Sequence, residues 1–384
     1  YAIRKRPKLR LIKDRLSHMS HVRDLRGELA KALDIDPRKV RARLHHVEHH
    51  RAHVASSFLV SPYEDAALMS IDALGDFLSA MTATGRGSVI EPMDSVSFPH
   101  SLGFLYTAGT QYLGFPKYGD EYKVMGLAAY GRPEFADAFR KMISCRNGAR
   151  FELNLKYFRH DSEGIEMTWN DCEPVIGRMY SDEWEKLLGP ARKPGEESTD
   201  RHAHLAASLQ LVFEEVYFHL LNALAEKTKH KTLCLAGGVV YNCVANGKIF
   251  EKTPFERVYM QSAAGDSGTA IGAAAYVTHS IHHHPREVVM RHSYWGPGYS
   301  PEEIEKTLST AEAVSTGAKA RMERVPDEAE LCRRTARALA DGKVVGWYQG
   351  RMEWGPRALG NRSILGDPRR AEMKDILNRR IKHR

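Results

Sequence analysis

The sequence predicts an α/β fold, and three stretches carry that prediction. Thr232-Leu233-Cys234-Leu235-Ala236 reads as a buried strand that runs into Gly237-Gly238 and then a helical segment. Val258-Tyr259-Met260 reads as a second strand, leading into Ala264-Gly265-Asp266-Ser267-Gly268 and a small-residue helix up to about Val277. Ahead of both lies the strongest helix, Leu205 to about Ala225, with Leu209, Val212, Val216, Leu220 and Leu224 on one face. Strand, glycine turn and helix in repetition place binding sites at the strand C-termini.

The remaining elements follow in order. Val22, Leu25, Leu29 and Leu33 have helical spacing over residues 21–35, and Asp36-Pro37 stops that helix. Val40, Ala42 and Leu44 alternate with basic residues, which predicts a short strand. A helix is expected from about His49 to Leu59, then a strand over Ala66 to Ala73 that ends in the turn Asp72-Ala73-Leu74-Gly75-Asp76. Residues 145–200 are polar and loop-rich. His282-His283-His284-Pro285 has the look of a linker, so a domain boundary is placed near 285, between a first domain over 1–285 and a second beginning at 286. Beyond it, Asp327 caps a helix that Gly342 ends, and Val344-Val345-Gly346-Trp347 is a strand.

Composition narrows the class. The chain has 384 residues, 42% hydrophobic and 27% charged, which excludes wholesale disorder and suggests about two or three domains. No apolar run approaches the roughly 18 residues of a membrane span, and no secretory leader pattern appears. The five cysteines form no C-x-x-C pair, which disfavours a disulfide framework and points to a reducing cytoplasm. Lys and Arg number 56 against 48 acidic residues, a net charge of +8, with much of the excess in Arg4-Lys5-Arg6 to Arg15 and in Arg38 to Arg43. These basic runs lack interleaved aromatics or a binding motif, which disfavours nucleic acid as a partner and leaves anionic small molecules.

Three constellations carry chemistry. The first is His45-His46-Val47-Glu48-His49-His50-Arg51-Ala52-His53. His49 and His53 are four apart, so on a helix their imidazoles share a face and can share a metal. His45-x-x-Glu48-His49 also matches an inverted zinc-peptidase order, but that needs one helix through 45–49, where the 40–44 alternation expects a strand to end. Asp266, in a glycine-flanked turn after a strand, offers a third ligand, and two histidines with one carboxylate suit Fe(II) or a similar divalent ion. The second constellation is Gly237-Gly238 to Asn242, where backbone N–H groups at a helix start can meet a phosphate or ribose. Asp72-x-x-Gly75 is a comparable turn, and Lys123 and Gly126 stand close together in Glu121-Tyr122-Lys123-Val124-Met125-Gly126. The third is the stretch from Gln349 to Ser363, where Arg351, Arg357 and Arg362 sit among glycines and a proline in a loop suited to planar anions.

Taken in order, these residues resemble the NodU/CmcH family of O-carbamoyltransferases. The matching stretches are HHRAHVASSF (49–58), DEYKVMGLAAYGRP (120–133), LAGGVVYNCVANG (235–247), SAAGDSGTAIGAA (262–274) and GWYQGRMEWGPRALGNRSILGDPR (346–369). The resemblance implies a first domain of the actin-like-ATPase fold shared with tRNA threonylcarbamoyladenosine transferases, followed by the start of a YrdC-like α/β domain. It also implies that carbamoyl phosphate and ATP give carbamoyl-adenylate, whose carbamoyl group passes to a hydroxyl of a small-molecule acceptor; the alternatives are carbamoyl transfer to a macromolecule, of the tRNA or hydrogenase-maturation type, and a non-catalytic nucleotide- or metal-binding fragment. By the same resemblance His49, His53 and Asp266 match metal ligands. Asp72, Gly75, Lys123, Gly126, Gly237, Gly238 and Asn242 fall at the nucleotide site, and Arg351, Arg357 and Lys382 at the carbamoyl-phosphate and adenylate site. The family's Asp-Gly-x-Gly-Glu turn is Asp72-Ala73-Leu74-Gly75-Asp76 here, and Trp354 stands where Phe is usual. The chain is expected to be an internal fragment, with the family's first strands before Tyr1 and most of the YrdC-like domain after Arg384.

Overall fold

A computed structural model describes residues 25–165, 167–170, 173–310, 323–377 and 381. The chain divides into two compact units, Tyr1–Val289 and Met290–Arg384.

The first unit opens with helix α1 (Leu25–Ala32) and helix α2 (His49–Phe58). Between them, Val40 to Leu44 is not a strand, although its alternation predicts one. Buried Val40 anchors the segment instead, and the Arg26 guanidinium donates to the Val40 and Ala42 carbonyls, so a side chain does the work of a partner strand. Strands β1 (Asp65–Gly75), β2 (Leu78–Arg86) and β3 (Val89–Ser97) follow, then helix α3 (Leu102–Tyr112) and helix α4 (Glu121–Ala128). The polar stretch read as loop holds two short hairpins, β4 (Ile143–Arg146) with β5 (Arg150–Leu153) and β6 (Met167–Asn170) with β7 (Glu173–Ile176). Helix α5 (Asp200–Thr228) starts earlier than its apolar face suggests, because Thr199 and His202 form a reciprocal cap ahead of it. Strands β8 (Thr232–Ala236) and β9 (Arg257–Tyr259) and helix α6 (Asp266–Ala275) complete the unit.

The central sheet has the order β3-β2-β1-β8-β9. β1, β2 and β3 are antiparallel neighbours, whereas β8 and β9 run parallel to β1, with Ala67 opposite Leu233 and Ser70 opposite Ala236. β1 is buried on both faces, as a central strand between two helical layers must be. Ala66 and Leu68 point to a cluster with Val54, Ala55 and Phe58 of α2, while Ala67, Met69 and Ile71 point to the larger core under α3 and α5. This mixed sheet between helices bears out the α/β class. Because β1, β8 and β9 run the same way, the residues beyond their shared ladder, whose last β1–β8 pair is Ser70 with Ala236, gather at one end of the sheet. Those residues are Asp72, still within β1, Gly237-Gly238 and the Gly265-Asp266 turn.

In the second unit, helices α7 (Pro301–Thr310) and α8 (Glu328–Ala340) precede an antiparallel hairpin of β10 (Val345–Tyr348) and β11 (Arg362–Leu365). Asp327 caps α8 by accepting the Ala329 N–H at 3.0 Å. Among the described residues no helix is long and apolar enough to cross a membrane.

Candidate functional site

The site begins with the first turn of α2, whose N–H groups have no partner within the helix. Glu48 accepts from His50 (2.9 Å) and Arg51 (2.7 Å), and Asp76, from the turn after β1, accepts from His49 (2.9 Å). Two carboxylates thus fix the helix start and its first histidine. Glu48 as a cap also ends the peptidase parse, since the helix begins at His49. Gly75 gives the imidazole room, because a Cβ there would lie 2.0 Å from His49 Cδ2.

One turn on, His53 is fully buried and presents Nε2 beside that of His49, 3.0 Å away. Both Nε2 atoms lie 3.0 Å from Asp72 Oδ2. The other Asp72 oxygen is held by the Ala73 N–H (2.7 Å) and the Gly238 N–H (3.3 Å). Asp266 Oδ1 completes the cluster at 3.5 Å from His53 and 3.8 Å from His49. It arrives at the N-terminus of α6, a helix that packs closely on α2. A Cβ at Gly272 would lie 1.8 Å from the Ala52 carbonyl oxygen, so the small residues of α6 set that approach. The ligand atoms of His49, His53, Asp72 and Asp266 all lie within 4.8 Å of one another. The Asp266 side chain is 67% exposed and that of His53 0%, so the cluster opens to solvent past Asp266.

The electrostatics favour positive charge where these atoms meet. Burial opposes charge on His53, yet hydrogen bonds to Asp266 and Asp72 lift its imidazole to about 9. Burial would raise the Asp72 carboxyl, but hydrogen bonding to His49 and His53 holds it far below the usual carboxylate range. The neighbouring His50 has a different task. It is buried with Nε2 2.9 Å from the Leu78 carbonyl oxygen, which makes Nε2 the donor and leaves Nδ1 to accept from the Ser70 hydroxyl. Burial lowers its pKa.

The other candidates divide among several places. Gly75, Gly237 and Gly238 lie around the cluster, with Gly237 N–H donating to the Ala264 carbonyl at 2.7 Å. Asn242 faces inward: its amide pairs reciprocally with Gln210 (2.9 and 3.1 Å), and its oxygen accepts the Ala245 N–H. Tyr106 and Lys248 extend this network through Gln210 and Glu214. Lys123 is paired with Asp120 at 2.6 Å, and Gly126 is exposed with open space where a Cβ would be. In the second unit, Arg351 donates to the Gly296 (3.0 Å) and Trp295 (2.8 Å) carbonyls, and Arg357 is exposed. Lys382 lies outside the described residues. Sequence reasoning placed Asp72 at the nucleotide and missed it as a fourth member of the cluster. Asp72 lies within β1, and its nearness to the two histidines left no local signal in the sequence.

Two family models match the chain: carbamoyltransferase N-terminus over residues 17–275 and carbamoyltransferase C-terminus over residues 336–384. An uncharacterized protein of Synechocystis sp. is 40% identical over 342 residues, which are 88% of this chain and 53% of that protein. Nodulation protein NolNO of Sinorhizobium fredii is 37% identical over 376 residues, 96% of this chain and 50% of that protein. The 3'-hydroxymethylcephem-O-carbamoyltransferase of Streptomyces clavuligerus is 28% identical over 337 residues, 86% of this chain and 56% of that protein. The chain therefore spans about half the length of these relatives.

Proposed function

The chain belongs to the carbamoyltransferase family, and on that premise we propose that it serves an O-carbamoyltransferase acting on a small-molecule hydroxyl. In this reading water cleaves carbamoyl phosphate to carbamate and inorganic phosphate, and the carbamate oxygen then attacks the α-phosphate of ATP, giving carbamoyl-adenylate and releasing pyrophosphate. The acceptor oxygen then bonds to the carbonyl carbon and AMP leaves. A relative named as an O-carbamoyltransferase of a hydroxymethylcephem supports the small-molecule acceptor.

The observation that carries the reading is the converging set His49, His53, Asp72 and Asp266. About an ion with bonds of about 2.1 Å, neighbouring ligands at right angles stand about 3.0 Å apart. His49 Nε2, His53 Nε2 and Asp72 Oδ2 have that mutual spacing, and Asp266 stands ready on the open side. Two imidazoles and two carboxylates suit Fe(II) or a similar divalent ion. Such an ion supplies Lewis acidity toward a carbonyl or phosphate oxygen. The chain's own residues set the rest. Gly75 and Asp76 orient His49, the Ala73 and Gly238 N–H groups orient Asp72, and the α2–α6 contact delivers Asp266. Exposed Asp266 stands on the side from which an adenylate and an acceptor would approach.

The test supplies carbamoyl phosphate and ATP to the purified intact protein, with metal analysis alongside and a panel of hydroxylated acceptors. Pyrophosphate release with stoichiometric metal, and a carbamoylated product by mass, support the proposal. No release from a folded, metal-loaded protein overturns it.

A further inference from the structure

The arginine-rich loop of the second unit is organised around an acid, Glu353. Its side chain is 7% exposed, and Oε1 accepts three backbone N–H groups: Leu359 at 2.7 Å, Asn361 at 2.8 Å and Arg362 at 3.2 Å. These bonds join the two ends of the segment from Trp354 to Gly360, so the carboxylate closes its neck. The residues between, Gly355 through Leu359, are exposed, and Arg357 stands among them. Further bonds hold the flanks, from Asn361 Nδ2 to the Arg351 carbonyl (2.7 Å) and from Gln349 N–H to the Asn361 carbonyl (3.0 Å).

Arg351 and Arg362 brace the loop through backbone carbonyls. Arg351 holds the Gly296 and Trp295 carbonyls. Arg362 reaches the Gln349 (2.6 Å), Asn361 (2.8 Å) and Gly350 (3.2 Å) carbonyls, and its guanidinium lies 3.5 Å from the centre of the Tyr348 ring. A loop that uses two guanidiniums and a buried carboxylate to fix one short lobe is preorganised rather than adaptable.

We propose that Glu353 is the positioning residue of an anion-receiving loop, closing its neck so that Arg357 meets carbamoyl phosphate in one fixed orientation. This rests on the carbamoyl-phosphate reading given above. The charge of Glu353 persists across the working range, since the Leu359 N–H above all, opposed by burial and aided by the Asn361 and Arg362 N–H groups, holds its carboxyl at about 2. A planar guanidinium gains from fixed orientation because both of its bonds to an anion must form together.

The experiment compares Glu353→Ala, Glu353→Gln and Arg357→Lys in the intact protein, reading amide exchange at residues 359, 361 and 362 and KM for each substrate. Glu353→Ala should speed exchange at the three amides. It should also raise KM for carbamoyl phosphate by about ten- to a hundredfold, with KM for ATP and kcat little changed. Glu353→Gln keeps an acceptor oxygen and should fall between; it decides the matter if the alanine variant does not fold. Wild-type exchange, or a wild-type KM for carbamoyl phosphate, in both Glu353 variants overturns the inference. A raised KM in Glu353→Ala beside an unchanged one in Arg357→Lys also overturns it, because the loop would then be serving another group. If the wild type releases no pyrophosphate, the functional reading fails and the presentation of Arg357 to carbamoyl phosphate fails with it, while the exchange data still decide whether Glu353 closes the neck.

Discussion

Asp72 shows how one carboxylate can face two ways. Oδ1 is held by backbone N–H groups and Oδ2 faces both imidazoles, so its orientation is set before any ligand arrives. Asp72→Asn keeps the shape and removes the charge. It should weaken retention of a divalent ion by more than about a hundredfold, the upper end of what losing a mere outer-shell partner costs. Elemental analysis after gel filtration checks this, and full occupancy would remove Asp72 from the site. His160 makes a different point. It is buried among Phe98, Phe104 and Phe158, with Nε2 donating to the Pro99 carbonyl at 2.7 Å and Nδ1 lacking a partner among the described residues. Burial lowers its pKa below the usual 6.5. Between the lowered folded value and 6.5 the unfolded chain binds the extra proton, so stability rises with pH and is lost as pH falls through that window. His160→Phe should flatten the loss as pH falls below about 6.5 by at most ~1.4 kcal/mol per pH unit, read from urea midpoints. At this scale the sequence was legible wherever spacing along one element sufficed, as for His49 and His53. Asp72 was not, because its nearness to them follows from how β1 passes α2, which no local spacing reports.

At the scale of elements, the two helices bearing the cluster meet through small side chains. Gly272→Val would drive a branched side chain into the Ala52 carbonyl and part α6 from α2. The expected cost is about 1–3 kcal/mol of stability, together with loss of bound ion as Asp266 withdraws. Thermal melting with parallel metal analysis checks both, and a variant that melts lower yet keeps its ion would show that Asp266 does not depend on this contact. The strands with glycine turns after them, β1, β8 and β9, were readable because buried β-branched and aliphatic runs end in unmistakable turns. Strands β2 and β3 escaped notice. Their residues, such as Met81-Thr82-Ala83-Thr84 and Met93-Asp94-Ser95, make no buried apolar run, and they become strands through pairing, β2 with β1 and β3 with β2. The 40–44 segment failed in the opposite sense: its alternation is real, but the described residues give it no neighbouring strand to pair with.

For the whole molecule, the join after the first unit is more than a linker. Arg286 donates to five backbone carbonyls, those of Phe58, Leu59, Ser61, Tyr63 and Gly87, at 2.9 to 3.2 Å, and lies over the Phe58 ring. All but Gly87 belong to the last turn of α2 and the segment after it, so the residue that begins the exit from the first unit also completes the end of the helix that carries His49 and His53. A first unit ended at His284 should melt lower than one ended at Val289 by at least about 2 kcal/mol, since carbonyls lose their donors. Equal melting would show that water replaces Arg286 without cost. The polyhistidine stretch suggested a boundary near 285, but this anchor could not be read from the sequence, because a lone arginine in such a stretch carries no pattern. The cluster itself has a consequence in time. His49, His53 and Asp72 come from one short stretch of chain, whereas Asp266 comes from far along it, so all four can assemble only once β9 has docked and α6 has settled on α2. An ion there would then be gained late in folding and lost early in unfolding, acting as a latch on the finished structure. Stopped-flow measurements should show divalent ions slowing unfolding while leaving the refolding rate almost unchanged.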